Sequence, residues 1–477
     1  MSRTARWILV AVGFLAGCAP ISEPHGFLGR LWRLEVGPQY ERPPVATPDD
    51  FRNRVGPEDA ASFADLPWWE VFGDPALQRL VSGALAGNYD LQSAVAHVEQ
   101  ARAQVGVAAS SLYPQAGYEA TAMRTKLPSE VSFQNNPFSL FIGAVNVAWE
   151  IDVWGRIRRS TEAARAQYLA TDEARRGVIV TLVSDVATSY FRLLELDREL
   201  AIAHESADTY RRTLDVFTQR YLGGTDTKVS TSRAEANLQA SLATIAALTR
   251  QITQQEDAIS VLLGTNPASI ERGMPLIDQS TPATPAGLTT ALLQRRPDIR
   301  RAEQQMISAN AEIGVAVANF FPVIGLSALY GNQGSSLGNV VTNTASFWNL
   351  AANASGPIFQ GGRLIQAYRA QRAFWDETIS AYRATVVDAF REVADALAAD
   401  AQLAEQRKAQ EAQVAALREA LELSLLRYSE GLTNYIEVLD AAQLLYPAES
   451  GLAQTQRDQL LAVVSLYKAL GGGWQTL

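Results

Sequence analysis

The 477-residue chain contains one cysteine, three histidines and, among its 41 basic residues, only four lysines. A single Cys excludes an internal disulfide and any metal cluster built on several thiolates. His25, His97 and His204 are scattered, and no His lies three or four residues from another. P-loop, Gly-x-Ser-x-Gly and His-Glu-x-x-His patterns are missing, so nothing points to an enzyme. The formal charge is −9. That acidic balance leaves no basic footprint for nucleic acid. Beyond position 18 there is no run of 18 apolar residues, and no transmembrane helix is predicted. What the chain does have is 47% hydrophobic residues, too many for general disorder. Its length allows about two to four domains.

The first residues read as an address. Arg3 and Arg6 precede an apolar run from Trp7 to Phe14, followed by Leu15-Ala16-Gly17-Cys18. A basic stretch, a short apolar stretch and small residues make a secretory signal. The lone Cys behind small residues resembles a bacterial lipobox. That resemblance makes residues 1–17 a signal peptide and Cys18 the lipidated first residue of the mature chain. Ala19 follows it rather than Asp, so the expected destination is the outer membrane. An ordinary cleaved signal beside an incidental Cys is the alternative. One lipid-bearing residue tethers a chain to a membrane without spanning it. Residues 18–75, with Gly37-Pro38, Pro43-Pro44 and Pro48, read as an extended arm.

The rest is a tandem repeat. Leu91-x-x-Ala94 and Gly106-Val107-Ala108 lead to Tyr113-Pro114, and Ile299-x-x-Ala302 and Gly314-Val315-Ala316 lead to Phe321-Pro322, 208 residues later. Gly155-Arg156-Ile157 returns as Gly362-Arg363-Leu364, and Arg220-Tyr221 with Gly224 as Arg427-Tyr428 with Gly431, both 207 residues on. The expected domains are a first repeat over 76–263, a linker over 264–287, a second repeat over 288–470 and a tail over 471–477.

Each half predicts the same elements. An Ala-rich helix covers 90–111 or 298–319. A strand pair follows Pro114 or Pro322, joined by a loop over 129–139 or 331–346. Val145, Val147, Trp149 and Ile151 alternate with Asn146, Ala148 and Glu150; Trp348, Leu350, Ala352 and Ala354 alternate with Asn349, Ala351 and Asn353. A period of two marks a strand with one apolar and one more polar face. Ile157–Leu222 holds one Gly and no Pro, and Arg363–Glu430 holds neither. Each predicts a helix about 100 Å long at ~1.5 Å per residue. A Gly-containing turn and a returning helix, 228–263 or 433–470, complete each half. Pro447 predicts a kink in the last one. Helices of this length belong in a coiled-coil or helical-barrel array. Four strands cannot close a barrel in lipid, whereas three copies would bring about twelve.

Taken in order, several stretches resemble the TolC-type outer-membrane efflux proteins, and most closely their lipoprotein branch typified by OprM and NodT. They are Val36-Gly37-Pro38-x-Tyr40, Trp68-Trp69-x-x-Phe72-x-Asp74-Pro75 and Trp149-Glu150-x-Asp152-x-Trp154-Gly155-Arg156. Arg295-Arg296-Pro297-Asp298-Ile299-Arg300, Gly356-Pro357-Ile358-Phe359-x-Gly361-Gly362 and Val438-Leu439-Asp440-Ala441 continue the match. Residues 19–35, ahead of the first motif, are longer than the family's usual spacing.

The resemblance implies an α+β membrane protein. It would be a homotrimer with a 12-stranded β-barrel, four strands per chain, and a long α-helical barrel crossing the periplasm. Its partners would be a periplasmic adaptor and an inner-membrane pump of the RND type. Its role would be a passive exit duct for drugs or other small molecules, with no cofactor beyond the lipid on Cys18. A duct for type I protein secretion and a poreless, lipid-anchored coiled-coil scaffold are the competing readings.

For the site, the resemblance matches Glu437 and Asp440 to an inward-facing acidic ring at the tunnel entrance, and Tyr428 to a residue that holds the tip closed. Read from the residues alone, the two acids share a helix face and are solvated at its start, and Tyr428 packs. Gly224 and Gly431 serve the turns through φ > 0. Around them, Ser230 stands where some family members carry an Asp and Thr433 where an Arg can occur, so a salt-bridge latch would be absent or replaced by hydroxyl hydrogen bonds. These tips would also meet the adaptor. Trp149, Trp154 and Trp348 are candidates for an interfacial aromatic girdle, with Trp154 packing where barrel meets tunnel. Asp298, with Arg295 and Arg296, reads as helix capping and surface pairing.

Overall fold

The structure is a computed structural model and describes residues 35–48, 50–52, 67–71, 73–126, 137–280, 282, 289–342 and 345–472. The leader 1–17, Cys18, the arm through 34 and residues 473–477 lie outside the described residues. The chain divides into two compact units. One comprises residues 1–41, 103–166 and 307–376; the other comprises 42–102, 167–306 and 377–477.

The described helices and strands run in the order α1 (Trp68–Val71), α2 (Pro75–Gly87), α3 (Tyr89–Ser110), β1 (Gln115–Thr125), β2 (Phe138–Ile151), α4 (Arg156–Leu222) and α5 (Lys228–Leu262). The second half continues with α6 (Thr289–Arg295), α7 (Pro297–Ala318), β3 (Val323–Gly334), α8 (Leu337–Val341), β4 (Ser346–Ser355), α9 (Arg363–Ser429) and α10 (Tyr435–Ala469). The long helices α4 and α9 are each 67 residues and begin 207 residues apart; α5 and α10 are each 35 residues with the same spacing. Left-handed glycines mark the ends in both halves, at Gly155, Gly224 and Gly264 and again at Gly362, Gly431 and Gly471.

The first unit holds one antiparallel sheet in the order β1-β2-β3-β4. Its strands of 11, 14, 12 and 10 residues reach the roughly 9–11 residues that a tilted strand needs to cross a bilayer. The predicted loops were drawn too wide. Residues 331–334 continue β3 and pair with 141–144, because β2 is the longest strand and offers ladder partners there. A short helix, α8, stands inside the second loop, and β2 already begins at Phe138.

The second unit is helical. Part of it settles two expectations differently. The arm's last stretch, 67–75, is no longer extended: it holds α1 and buries Trp68, Val71 and Asp74. Asp74 caps α2 and accepts hydrogen bonds from Ala76 N at 2.8 Å, Tyr190 Oη at 2.7 Å, Met274 N at 3.0 Å and Gln279 Nε2 at 2.8 Å. The linker is thereby pinned to α2 and α4, with Leu276 and Ile270 buried behind it. Arg296 is buried rather than on the surface, paired with Asp298 and Glu392 and donating to Ala469 O. Helix α10 runs unbroken through Pro447.

Within α4 lies an 18-residue window of mean hydropathy 1.4, yet 61% of that window is buried inside the protein. Leu182, Val183, Val186 and Tyr190 are core residues there, so the apolar stretch is accounted for by packing.

Candidate functional site

The two helical hairpin turns have the same backbone. Thr225 N bonds Arg220 O and Gly224 N bonds Tyr221 O; Leu432 N bonds Arg427 O and Gly431 N bonds Tyr428 O. This is the Schellman arrangement, and it needs a left-handed residue just past the helix. Gly224 at φ +69° and Gly431 at φ +73° supply it.

Their side chains differ. In the first turn Thr227 caps α5 by accepting from Ser230 N. The Ser230 hydroxyl, followed by Thr227 N, holds the Asp226 carboxyl below its ordinary range. Ser230 is thus occupied inside its own turn. In the second turn Asn434 caps α10 by accepting from Ile436 N, which leaves Thr433 in the turn and outside the helix expected to contain it. Glu437 and Asp440 are both exposed on the first turns of α10. A carboxylate three residues into a helix is favoured by the N-terminal dipole. Glu437 also lies 3.8 Å from Arg427 Nη1.

An aromatic clamp joins the two hairpins. Tyr435 is 6% exposed and packs edge-on against Phe217 at 4.9 Å and Tyr428 at 4.7 Å between ring centroids. Its hydroxyl bonds Thr213 Oγ1, and Arg220 Nη1 donates to Tyr428 Oη. Ala234 and Val438 fill the cluster behind. Of the residues named from sequence, only Tyr428 belongs to this clamp. Arg220, Thr213, Phe217 and Tyr435 were missed. The available signal was Arg220-Tyr221, noticed as a repeat landmark, whose Arg faces a Tyr 208 positions away.

The sheet presents a second feature. Residues opposed across neighbouring strands share a face. One row reads Tyr118, Val145, Tyr330, Trp348, and the next Ala116, Val147, Ala328, Leu350. Tyr118 is 88% exposed, Trp348 72% and Leu350 71%. The opposite face carries rows such as Gly117, Asn146, Leu329, Asn349 and Glu150, Gly325, Asn353. One face is therefore apolar and bare, the other more polar. Trp149 donates to Leu112 O at 2.9 Å, and Trp154 stacks on Phe321 at 4.7 Å while donating to Pro322 O. Among the described residues, β1 pairs only with β2 and β4 only with β3, so both outer edges are open. No group of acids, His or Cys that would hold a metal ion occurs among the described residues.

A sequence profile of the outer membrane efflux protein family matches residues 80–265 and again 288–472. The chain is similar to the solvent efflux pump outer membrane protein SrpC of Pseudomonas putida, 36% identical over 408 residues, 85% of this chain and 87% of that one. It is 32% identical over 449 residues to the cation efflux system protein CusC of Escherichia coli O6:H1, covering 93% of this chain and 97% of that one. The open state of the MtrE outer membrane channel of Neisseria gonorrhoeae superposes with a TM-score of 0.84 at 31% identity, over 92% of this chain and 98% of the other. A sheet with one bare apolar face, two very long helical hairpins and these matches agree: the chain belongs to the outer membrane efflux protein family.

Proposed function

We propose that the chain works as a homotrimer whose three sheets join into one 12-stranded barrel in the outer membrane, with its helices forming a tunnel through the periplasm. The observation that carries this reading is the open four-stranded sheet. Its bare apolar face calls for lipid, and lipid does not tolerate unpaired strand edges. Closure by further copies answers both demands. A poreless scaffold gives the apolar face nothing to do. Matching helix lengths, matching glycines and the twofold profile match support two tandem repeats, 76–263 and 288–470. The lipid on Cys18 would anchor the arm beside the barrel.

As a duct, the protein does no bond chemistry and takes its energy from partners: a periplasmic adaptor meeting the hairpin turns at Gly224, Ser230, Gly431 and Thr433, and an inner-membrane pump of the RND type. The cargo class is small molecules. Glu437 and Asp440, exposed at the start of α10, would line the entrance as a ring of six carboxylates. Such a ring favours cations and opposes its own closure by mutual repulsion. Tyr428, clamped to Arg220, works against that repulsion.

The test is single-channel conductance of the purified, lipidated protein in planar bilayers, beside Glu437→Ala/Asp440→Ala. A small cation-preferring current that grows and loses its preference in the double variant supports duct and ring together. Equal currents remove the ring. An absence of current from inserted, folded oligomer removes the duct.

A further inference from the structure

Residues 335–345 join β3 to β4. Fully extended, they could reach about 36 Å from the sheet at ~3.3 Å per residue, far enough to lie over a pore mouth. Instead, helix α8 folds back and packs on β3 and β2. The face it takes is the apolar one. Gly143 and Gly334 belong to the rows of that face, on neighbouring strands. A Cβ at Gly143 would stand 3.1 Å from Val340 Cγ1, and one at Gly334 would stand 2.6 Å from Asn339 Cβ. The two glycines form the recess in which α8 is seated. Asn332, opposite Gly143 in the same row, has its side-chain oxygen buried there.

The recess lies at the rim of the apolar band. On this face β2 runs from Ile151 through Trp149, Val147, Val145 and Gly143 to Phe141, and the next pair, Ser139 with Arg124, is polar. The ten steps from Ile151 to Phe141, at ~3.4 Å each and tilted by about 40°, rise roughly 26 Å, against about 25 Å for the lipid-facing band of a membrane barrel. Helix α8 therefore stands on the last rows of the band, at the strand ends away from Ile151.

We infer that α8 is a foothold in lipid on the outer wall of the barrel, with Leu337 and Val341 entering the acyl chains, and that the β3–β4 connection leaves the pore mouth uncovered. This rests on the proposed placement of the apolar face in lipid. It adds where a loop outside the ladder goes and what it touches. Leu337 and Val341 are four residues apart, so they share the side of α8 that points away from the sheet, and they are 63% and 78% exposed. They continue the bare face of the strands. Residues 331–346 contain no Asp, Glu, Lys or Arg, whereas the β1–β2 connection holds Lys126 and Glu130. Charge on a lipid-facing surface is destabilising, and a loop bathed in water has no reason to avoid it.

Spin labels test the foothold. Val341→Cys, Leu350→Cys and Gln333→Cys are labelled one at a time in the full-length protein, in vesicles of phosphatidylethanolamine and phosphatidylglycerol. Relaxation by oxygen reports acyl chains, and relaxation by a nickel chelate reports water. The parent protein, with native Cys18 alone, is the background. The label at 341 should match the oxygen preference of the one at 350, on the bare face, and the label at 333, on the polar face, should prefer the chelate. A chelate preference at 341 beside an oxygen preference at 350 overturns the foothold and leaves the sheet in lipid. A chelate preference at both, in inserted protein, overturns the lipid placement itself. The second variant is Gly143→Cys/Val340→Cys. Its disulfide should form in the folded channel, and single-channel conductance should be the same oxidised and reduced. No disulfide, or a current that changes twofold or more on reduction, overturns the seat of α8 outside the mouth.

Discussion

Replacing Tyr428 by Phe should open the channel, and the size of the effect follows from one hydrogen bond. The substitution keeps the ring that packs on Tyr435 at 4.7 Å. It removes only the hydroxyl that accepts from Arg220 Nη1. A hydrogen bond to a charged group contributes about 1.5–3 kcal/mol, and an exposed pair less, so about 1 kcal/mol per chain is reasonable. In the proposed trimer, three chains acting together would shift the closed-to-open ratio by about 3 kcal/mol, roughly a hundredfold at 1.4 kcal/mol per decade. The assay is open probability in planar bilayers for Tyr428→Phe, Arg220→Ala and the double variant. If this bond is the latch, the double variant opens no further than either single one. Strictly additive effects, or a Tyr428→Phe channel as closed as the parent, would refute the reasoning.

Three further outcomes are expected. Asp74→Ala strands four donors, three of them in the linker and α4, and should lower stability by roughly 3–5 kcal/mol, read as a fallen thermal midpoint and faster proteolysis within 264–280; an unchanged midpoint would remove the linker's anchor. With pH, burial raises Glu173 and Glu195 above the ordinary 4.5, while Asp74 and Asp298 lie below 3.8 despite burial because of the hydrogen bonds they accept. A raised carboxyl takes up its proton first in the fold, so stability should rise as pH falls toward about 4.5, then fall below about 4 as the two Asp lose their charge; thermal midpoints that decline steadily from neutrality would contradict this. Leu350→Asp, on the bare face of β4, should cut the yield of folded protein in the outer membrane, whereas Asn349→Asp on the opposite face should not; equal yields would mean the faces are assigned the wrong way round.

Local patterns were legible in the sequence because they repeat within a few residues. The alternation at Val145–Ile151 and Trp348–Ala354 fixed both faces of the sheet. The long stretches without Pro, holding one Gly in α4 and none in α9, located these helices to within a residue or two. The errors lie where a neighbour decides. Gly331-Asn332-Gln333-Gly334 reads as a turn, yet β2 draws it into the ladder. Arg296 looks like a surface Arg until Glu392 and Ala469 O are found beside it. The clamp was illegible for the same reason: Arg220 and Tyr428 are 208 residues apart, Thr213 and Tyr435 222 apart. Ser230 and Thr433 were named by position, whereas the hydroxyls of Thr213, Tyr428 and Tyr435, which bond between the hairpins, carry no local signal.

The equal lengths of α4 and α9 also act as a ruler on the gene. One residue inserted into α4 turns everything beyond it by about 100° and advances it ~1.5 Å, which would displace Arg220 from Tyr428 and Thr213 from Tyr435 together. Only an identical insertion in α9 would restore both meetings. The hairpins between strands carry no such constraint, and it is there that the spacing of the two halves slips from 208 at Pro114 and Pro322 to 207 at Gly155 and Gly362. Length variation among descendants of this sequence should therefore collect in the β1–β2 and β3–β4 connections, and the helices should change in composition while keeping their count of 67.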